Sequence, residues 1–269
     1  MADVNVLLLR TAGTNCDLEL ARAFELCGAK VERIHINRIL ADTSILQKFQ
    51  ILGFPGGFSY GDDIASGKIL ANQIIHHLKA PLTEYIAAGK LVIGICNGFQ
   101  VLVKCGLLPG PIPQLAADDT HPTTLTYNLS GRFEDRWVEL ATYSKLCKWI
   151  PAGQRVRFPV AHGEGRFAVR NEAVLAALQG NDQVVLRYVD AAGQPTQTFP
   201  ANPNGSVDAI AGICDITGQI LGLMPHPERI IDTHTAPDWT RNTAAGPDGL
   251  LMFQTAVKYV QEHLLTVAV

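Results

Sequence analysis

The chain has 269 residues, 47% of them hydrophobic and 17% charged, with a formal net charge of −3 at pH 7. These values are typical of a compact globular protein and argue against a disordered chain, and the absence of a basic cluster argues against nucleic acid as a partner. No apolar run reaches the roughly 18 residues of a membrane-spanning helix, so we expect no membrane partner. The six cysteines lack the density of a disulfide scaffold, so we expect reduced thiols and a cytoplasmic location.

Short apolar runs separated by helical patterns characterise residues 1–110. The runs predicted as strands cover residues 4–9, 31–36, 50–54 and 91–95. A helix is predicted over residues 18–27, with its buried side formed by Leu18, Ala21, Phe24 and Leu26. Continuous apolar strands with intervening helices are typical of a parallel sheet that is covered on both faces.

Beyond Pro109 the segments become shorter and more alternating. Antiparallel strands are predicted at residues 123–128, 136–141 and 155–160, and further strands at 184–189, 209–214 and 220–224. Helices are predicted at 172–178 and 250–264, and surface loops at 191–206 and 232–247. We therefore predict a single α/β domain over residues 1–269: a doubly wound, mostly parallel sheet with helices on both faces and a smaller antiparallel extension.

The strongest local signal is a cysteine between two glycines where a predicted strand meets a helical pattern. Gly94, Cys96 and Gly98 form the G-x-C-x-G version of a nucleophile elbow. Glycine is required at both flanking positions because larger side chains would clash where strand and helix meet. The positive end of the helix favours a thiolate, so Cys96 is predicted as a nucleophile. The other five cysteines form no C-x-x-C pair and are interpreted as ordinary reduced thiols.

Among the eight histidines, His226 has the sequence context of a catalytic base. It follows an apolar run and lies between Pro225 and Pro227, which restrict the backbone and preset the direction of the ring. Residues two apart in extended backbone point to the same side, so Glu228 is placed to orient the imidazole. Without Cys96 these residues would indicate a loop with a salt bridge. With it, they predict a catalytic triad.

A third element is the glycine pair that follows the predicted strand at 50–54. Exposed backbone N–H groups there favour an oxyanion hole, formed by the N–H groups of Gly57 and Asn97. The alternative interpretation is an ordinary glycine turn. Because glycine has many accessible backbone states, we expect the loop at Gly56 and Gly57 to be flexible.

Residues 61–69 resemble a phosphate-binding loop but depart from it in two ways. Five residues separate Gly61 from Gly67, and Ile69 stands where a serine or threonine would hold magnesium. We therefore predict no nucleotide site here. The sequence also lacks H-E-x-x-H and a zinc-type Cys/His set, so no metal site is predicted.

Pro55-Gly56-Gly57, the elbow at Cys96 and His226-Pro227-Glu228, in this order, resemble the motifs of class I (triad) glutamine amidotransferases. The likeness is closest to the glutaminase family of phosphoribosylformylglycinamidine synthases, and it is carried by residues 9–17, 55–62, 94–100, 128–134, 159–167 and 222–229. Asp63 departs from the family pattern, since an aromatic residue is common there. The loops at 111–123, 195–206 and 232–247 are longer than in compact bacterial members of the family.

The resemblance implies that this chain hydrolyses L-glutamine through a glutamyl thioester and passes ammonia to a synthetase subunit. That subunit would use ATP and magnesium to convert formylglycinamide ribonucleotide to its amidine in purine biosynthesis. The resemblance also implies a small bridging subunit as a second partner and no cofactor in this chain. By similarity Gly56, Gln100, His162 and Gly163 contact the glutamine substrate.

Two other functions stay open on the sequence alone. One is another triad amidotransferase with a different acceptor, against which residues 58–62 and 162–166 argue by their resemblance. The other is a non-catalytic regulatory module of the same fold, against which the intact triad residues argue.

Overall fold

The computed structural model describes residues 3–115, 121–241, 246 and 248–265. The strands are β1 (Asn5–Arg10), β2 (Lys30–His35), β3 (Ile51–Phe54), β4 (Leu91–Ile95), β5 (Thr123–Thr126), β6 (Glu134–Thr142), β7 (Arg155–His162), β8 (Arg166–Val169), β9 (Val184–Tyr188), β10 (Ile210–Cys214) and β11 (Ile220–Leu223). The α-helices are α1 (Asp17–Leu26), α2 (Ile36–Ala41), α3 (Lys68–Gln73), α4 (Lys79–Ala87), α5 (Asn97–Lys104), α6 (Glu172–Gly180) and α7 (Leu250–His263). A π-helical turn, Ile74–Leu78, joins α3 to α4.

A nine-stranded sheet in the order β2-β1-β3-β4-β11-β10-β9-β6-β7 forms the centre of the fold. The strands from β2 to β11 are parallel neighbours, and the strands from β10 to β7 extend the sheet in antiparallel pairs. β5 and β8 pair separately as a two-stranded antiparallel sheet. The predicted fold class, a doubly wound α/β sheet with an antiparallel extension, is confirmed.

Helices pack closely on both faces of the parallel strands. Every residue of β3 and β4 is buried. A Cβ at Gly53 would lie 3.4 Å from Leu20 of α1, whereas a Cβ at Gly94 of the neighbouring strand would lie 2.6 Å from Leu102 of α5. Gly53 therefore faces α1 and Gly94 faces α5, on opposite sides of the sheet.

Helix α1 buries Ala21 and Phe24, as predicted, but not Leu18 and Leu26. Its buried apolar residues are Leu20, Ala21, Ala23 and Phe24, and the Phe24 ring lies 5.0 Å from that of Phe253 in α7. Leu18 and Leu26 are 62% and 44% exposed, so their predicted burial was wrong. Leu20 and Phe24, four residues apart, define the stripe that faces the sheet, and Leu18 and Leu26 lie outside it.

The strand predicted at 31–36 ends at His35 because the chain turns there into α2. The Nδ1 atom of His35 accepts the N–H of Asn37 at 3.2 Å, which caps the first turn.

No helix within the described residues has the length and apolar character needed to cross a membrane. Residues 116–120, 242–245 and 247 of the predicted long loops lie outside the described residues.

Candidate functional site

The predicted motifs meet at one edge of the sheet. The loops at 11–16, 55–60 and 224–229 follow β1, β3 and β11, and Cys96 follows β4. Parallel strands have their carboxyl ends at the same edge, where α/β proteins bind their ligands. Residues distant in the sequence are therefore brought together around Cys96.

Cys96 lies in the sharp turn that its flanking glycines predict. Its φ is +52°, a strained value for a residue with a side chain. A Cβ at Gly98 would lie 1.9 Å from the Phe54 carbonyl oxygen, and one at Gly94 would lie 2.6 Å from the Gly98 carbonyl oxygen. The structure thus confirms that space at the strand–helix junction requires both glycines.

His226 and Glu228 form a buried pair beside this elbow. The His226 N–H donates to the Pro159 carbonyl at 2.8 Å, and its Nδ1 lies 2.6 Å from Oε1 of Glu228. A carboxylate accepts hydrogen bonds, so Nδ1 carries a proton and donates to it. The Nε2 atom of His226 has no hydrogen-bond partner among the described residues, which leaves it available for a substrate.

The surroundings of His226 favour its protonated form. Burial by itself lowers the pKa of His226, but the negative charges of Glu228 and then of Cys96 outweigh burial and raise the pKa well above its ordinary value. An imidazolium next to the elbow is the proton donor that a leaving amine requires.

The candidate oxyanion loop is fixed on one side by the loop that follows β1. The Gly56 carbonyl accepts the N–H groups of Asn15 at 3.3 Å and Cys16 at 3.2 Å. The carbonyl and N–H of a trans peptide point in opposite directions, so the Gly57 N–H points away from these donors. In the described part of the chain neither this N–H nor that of Asn97 donates to a protein acceptor.

The surrounding space requires glycine at both positions of this loop. A Cβ at Gly56 would lie 2.9 Å from Cε1 of His226. Gly57 has φ +141°, and a Cβ there would lie 2.5 Å from the Gly13 carbonyl oxygen. Backbone hydrogen bonds on either side, including Phe58 N–H to the same Gly13 oxygen at 2.9 Å, hold the loop in place.

Gln100, His162 and Gly163, predicted to contact the substrate, also lie at this edge. The Ala161 carbonyl, next to His162, lies 3.8 Å from the Cys96 sulfur. The side chains, however, have protein partners: Gln100 donates to the Glu164 carbonyl and accepts from Asn97. Their role as substrate contacts therefore stays a prediction.

His162 is held as a neutral residue inside the turn. Its Nδ1 lies 3.1 Å from Oδ1 of Asn128, and a Cβ at Gly165 would lie 2.2 Å from its Cε1. Burial first, and then the charge of His226, lower the pKa of His162 to about 4. Gly165 is thus needed to make room for the His162 ring.

Buried asparagines that the sequence analysis did not select support the turn at 162–165. Asn128 donates to the His162 carbonyl at 2.7 Å and accepts the Gly165 N–H at 3.0 Å, and Asn204 donates to the Gly165 carbonyl at 2.8 Å. Asn202, Asn204 and Ser206 are buried, so part of the segment predicted as surface loop at 191–206 belongs to the interior. Their polar, turn-like composition conceals this burial in the sequence.

The segment that resembles a phosphate-binding loop is joined to the site by Asp62. Its Oδ1 accepts the Gly67 N–H and the Asn97 side-chain amide, both at 3.1 Å. Asn97 in turn accepts the Ser59 N–H at 3.1 Å. The Asp62 carboxylate therefore occupies the Gly67 N–H, which a phosphate loop would offer to an anion. Through Asp62 the segment positions Asn97 instead.

Cys16, His226 and Glu228 offer ligand atoms within 4.8 Å of one another, all buried. Arg229 donates to the Cys16 sulfur at 3.1 Å, so a cation bound there would face a guanidinium. The Glu228 carboxylate already binds the imidazole. The contacts of these three side chains are thus hydrogen bonds, and the expectation of no metal site stays a prediction.

Comparison with known proteins agrees with this geometry. The sequence model of a family described as a CobB/CobQ-like glutamine amidotransferase domain matches residues 3–260. Phosphoribosylformylglycinamidine synthase subunit PurQ of Dehalococcoides mccartyi is 44% identical, over 97% of this chain and 100% of its own. The protein of the same name from Methanococcus maripaludis is 40% identical, over 94% of this chain and 96% of its own.

A solved structure of PurLQS from Thermotoga maritima is also similar. The matched chain is 28% identical, with a TM-score of 0.70, and the match covers 96% of this chain and 100% of that one. The similarity thus extends along the whole fold and is not confined to the motifs.

Proposed function

Because the chain belongs to the CobB/CobQ-like glutamine amidotransferase family, we propose that it acts as the glutaminase subunit of a phosphoribosylformylglycinamidine synthase. It hydrolyses glutamine to glutamate and ammonia, and the ammonia serves the ATP-dependent conversion of formylglycinamide ribonucleotide to its amidine in purine biosynthesis. Relatives with that name match nearly the full length of the chain. The observation that carries the proposal is the buried His226–Glu228 pair beside the elbow at Cys96.

In the first half of the reaction the Cys96 thiolate attacks the side-chain amide carbon of glutamine. The N–H groups of Gly57 and Asn97 donate to the oxygen on which negative charge develops. His226 gives its Nε2 proton to the leaving nitrogen, the C–N bond breaks, and a glutamyl thioester with Cys96 is left as ammonia departs.

In the second half a water molecule attacks the thioester. His226, now neutral, accepts a proton from that water, and the C–S bond breaks to release glutamate and the Cys96 thiolate. Glu228 accepts the Nδ1 proton throughout, which keeps Nε2 directed at the reacting atoms and stabilises the imidazolium.

The proposed partners are a synthetase subunit and a small bridging subunit, because this chain supplies only the glutaminase reaction. A synthetase subunit holds ATP and magnesium and receives the ammonia, and a small bridging subunit completes the complex. The glutaminase steps need no cofactor because the thiolate, the imidazole and two peptide N–H groups supply all of the chemistry. We place the activity in the cytoplasm, in agreement with the free state of all six thiols.

The test separates glutamine from ammonia as the nitrogen source. The synthetase and bridging subunits are assayed for amidine formation with and without this chain, and with a matched Cys96→Ala chain. We expect glutamine-dependent formation to require the wild-type chain, while ammonia-dependent formation needs neither. Glutamine-dependent formation with the Cys96→Ala chain would contradict the proposal.

A further inference from the structure

Cys16 lies next to the candidate site although its sequence context indicated an ordinary thiol. Its side chain is 1% exposed, and it occupies the N-cap position of α1 without capping the helix. The sulfur instead lies 3.0 Å from Oδ1 of Asn15 and accepts the Arg229 guanidinium at 3.1 Å. The contact with Arg229 joins the sulfur to the loop that carries the base.

Through its backbone Cys16 fixes the peptide between Gly56 and Gly57. Its N–H, with that of Asn15, donates to the Gly56 carbonyl. Because the peptide is planar and trans, fixing the carbonyl also fixes the direction of the Gly57 N–H.

Through its side chain Cys16 holds the loop of the base. Arg229 is three residues beyond His226, in the short 3-10 turn Pro227–Arg229, and its N–H donates to the His226 carbonyl at 3.3 Å. A Cβ at Gly56 would lie 3.1 Å from the Cys16 sulfur and 2.9 Å from Cε1 of His226. The sulfur and the imidazole therefore enclose Gly56 between them.

Building on the proposed glutaminase reaction, we propose that Cys16 is a positioning residue that, by its contact with Arg229, aligns the Gly57 N–H of the oxyanion hole with the imidazole of His226. Removing the sulfur leaves the Arg229 guanidinium without this acceptor and opens space beside Gly56. The Gly57 N–H and the His226 imidazole then lose their common support, although neither residue is substituted. Small displacements of this kind reduce the rate of the chemical step more than substrate binding.

The experiment is a double-mutant cycle in the assembled complex, with Cys16→Ala, Arg229→Met and the combination. Cys16→Ser, which keeps a hydrogen-bonding atom, tests rescue, and Cys27→Ala at the other end of α1 is the matched control. Glutamate release gives kcat and KM for glutamine. The aldehyde analogue of glutamine, which adds the Cys96 sulfur to its carbonyl carbon and places the resulting oxygen in the oxyanion hole, gives the affinity for a tetrahedral state.

We expect each single variant to lower kcat about tenfold to a hundredfold with KM within about threefold of wild type. Affinity for the aldehyde should fall by a similar factor, Cys16→Ser should recover most of the loss, and Cys27→Ala should behave as wild type. Since Cys16→Ala and Arg229→Met break the same contact, the double variant should be no slower than the slower single variant.

Folding is checked by the melting temperature and by co-elution with the partners, and Arg229→Met serves alone if Cys16→Ala fails to fold. Folded single variants with unchanged kcat would overturn the inference, as would losses that multiply in the double variant or that appear only in KM. A wild-type complex that releases no glutamate from glutamine would overturn the proposed function and the inference together. Normal wild-type activity with unaffected variants would overturn the inference alone.

Discussion

The Nδ1 atom of His226 lies 2.6 Å from Oε1 of Glu228, and each residue is only 1% exposed. Exclusion of water strengthens the attraction between the imidazolium and the carboxylate. The pair therefore fixes the orientation of the ring, and Nε2 is the nitrogen left for proton transfer.

We predict unequal losses from the two members of this pair. His226→Ala removes the acid and base and should lower kcat for glutamine about a thousandfold in the assembled complex. Glu228→Gln keeps the ring and a hydrogen-bond acceptor and should leave more activity than His226→Ala, because orientation is secondary to proton transfer. Steady-state glutamate release measures both, and ammonia-dependent amidine formation controls for assembly. Normal turnover by His226→Ala would require a different base.

Glu228→Gln should also move the pH dependence of the reaction. Burial lowers the pKa of His226 and the Glu228 charge raises it, so Glu228→Gln removes a raising contribution. The limb of the kcat/KM profile on which His226 loses its proton should then shift to lower pH. A limb that stays in place would show that His226 does not determine it.

A diazo-ketone analogue of glutamine should label Cys96 and no other thiol. Burial raises the pKa of Cys27 to about 11 and that of Cys105 to about 12, so both remain protonated thiols, which are poor nucleophiles. Peptide mass mapping after stoichiometric labelling identifies the site. Cys105→Ala should label normally and Cys96→Ala should not; label elsewhere with Cys96 unmodified would exclude it as the nucleophile.

Adding a single methyl group at Gly98 should disrupt the elbow. Gly98→Ala brings a Cβ to 1.9 Å from the Phe54 carbonyl oxygen, which forces β3 and α5 apart and should abolish glutaminase activity with a lower melting temperature. Gly180→Ala, where nothing lies within 4 Å, is the matched control and should retain both properties. Wild-type activity in Gly98→Ala would contradict the geometry of the elbow.

His162 should make stability depend on pH below neutrality. Its pKa is about 4 in the folded protein and about 6.5 when unfolded, so the unfolded chain binds the proton first as the pH falls. Neutral His162 therefore contributes up to about 3 kcal/mol to the free energy of unfolding above pH 6.5. This contribution is lost between about pH 6.5 and 4.

Urea unfolding across that range measures the dependence. In His162→Asn, which can keep a donor to Asn128, the free energy of unfolding should fall less between pH 6.5 and 4 than in wild type. Equal slopes in the two proteins would show that His162 is not held neutral.

The isolated chain should be a poor glutaminase that becomes active with the synthetase, its bridging partner, nucleotide and acceptor. Uncoupled hydrolysis would consume glutamine without using the ammonia, and misdirection of one oxyanion donor reduces the rate about a hundredfold to a thousandfold. Glutamate release by the chain alone is compared with release by the complete complex. Equal rates would refute the coupling and leave the triad assignment intact.

Local sequence signals were sufficient to predict the parallel strands, the elbow and the pairing of His226 with Glu228. Each depends on residues close in the chain: a strand on continuous apolar residues, the elbow on glycines two positions either side of Cys96, and the pair on a spacing of two. Such features follow from backbone geometry and side-chain volume, which are the same in any protein.

The contacts that decide the direction of the Gly57 N–H and the place of Cys16 appear only in the tertiary structure. Cys16 meets Arg229 across 213 positions of sequence, and Asn204 meets the Gly165 carbonyl across 39. No local pattern marks these residues, because an asparagine or cysteine has the same short-range preferences whether it is solvated or buried. Their partners are determined by the order of the strands, which brings the ends of β1, β3, β4 and β11 to one edge of the sheet.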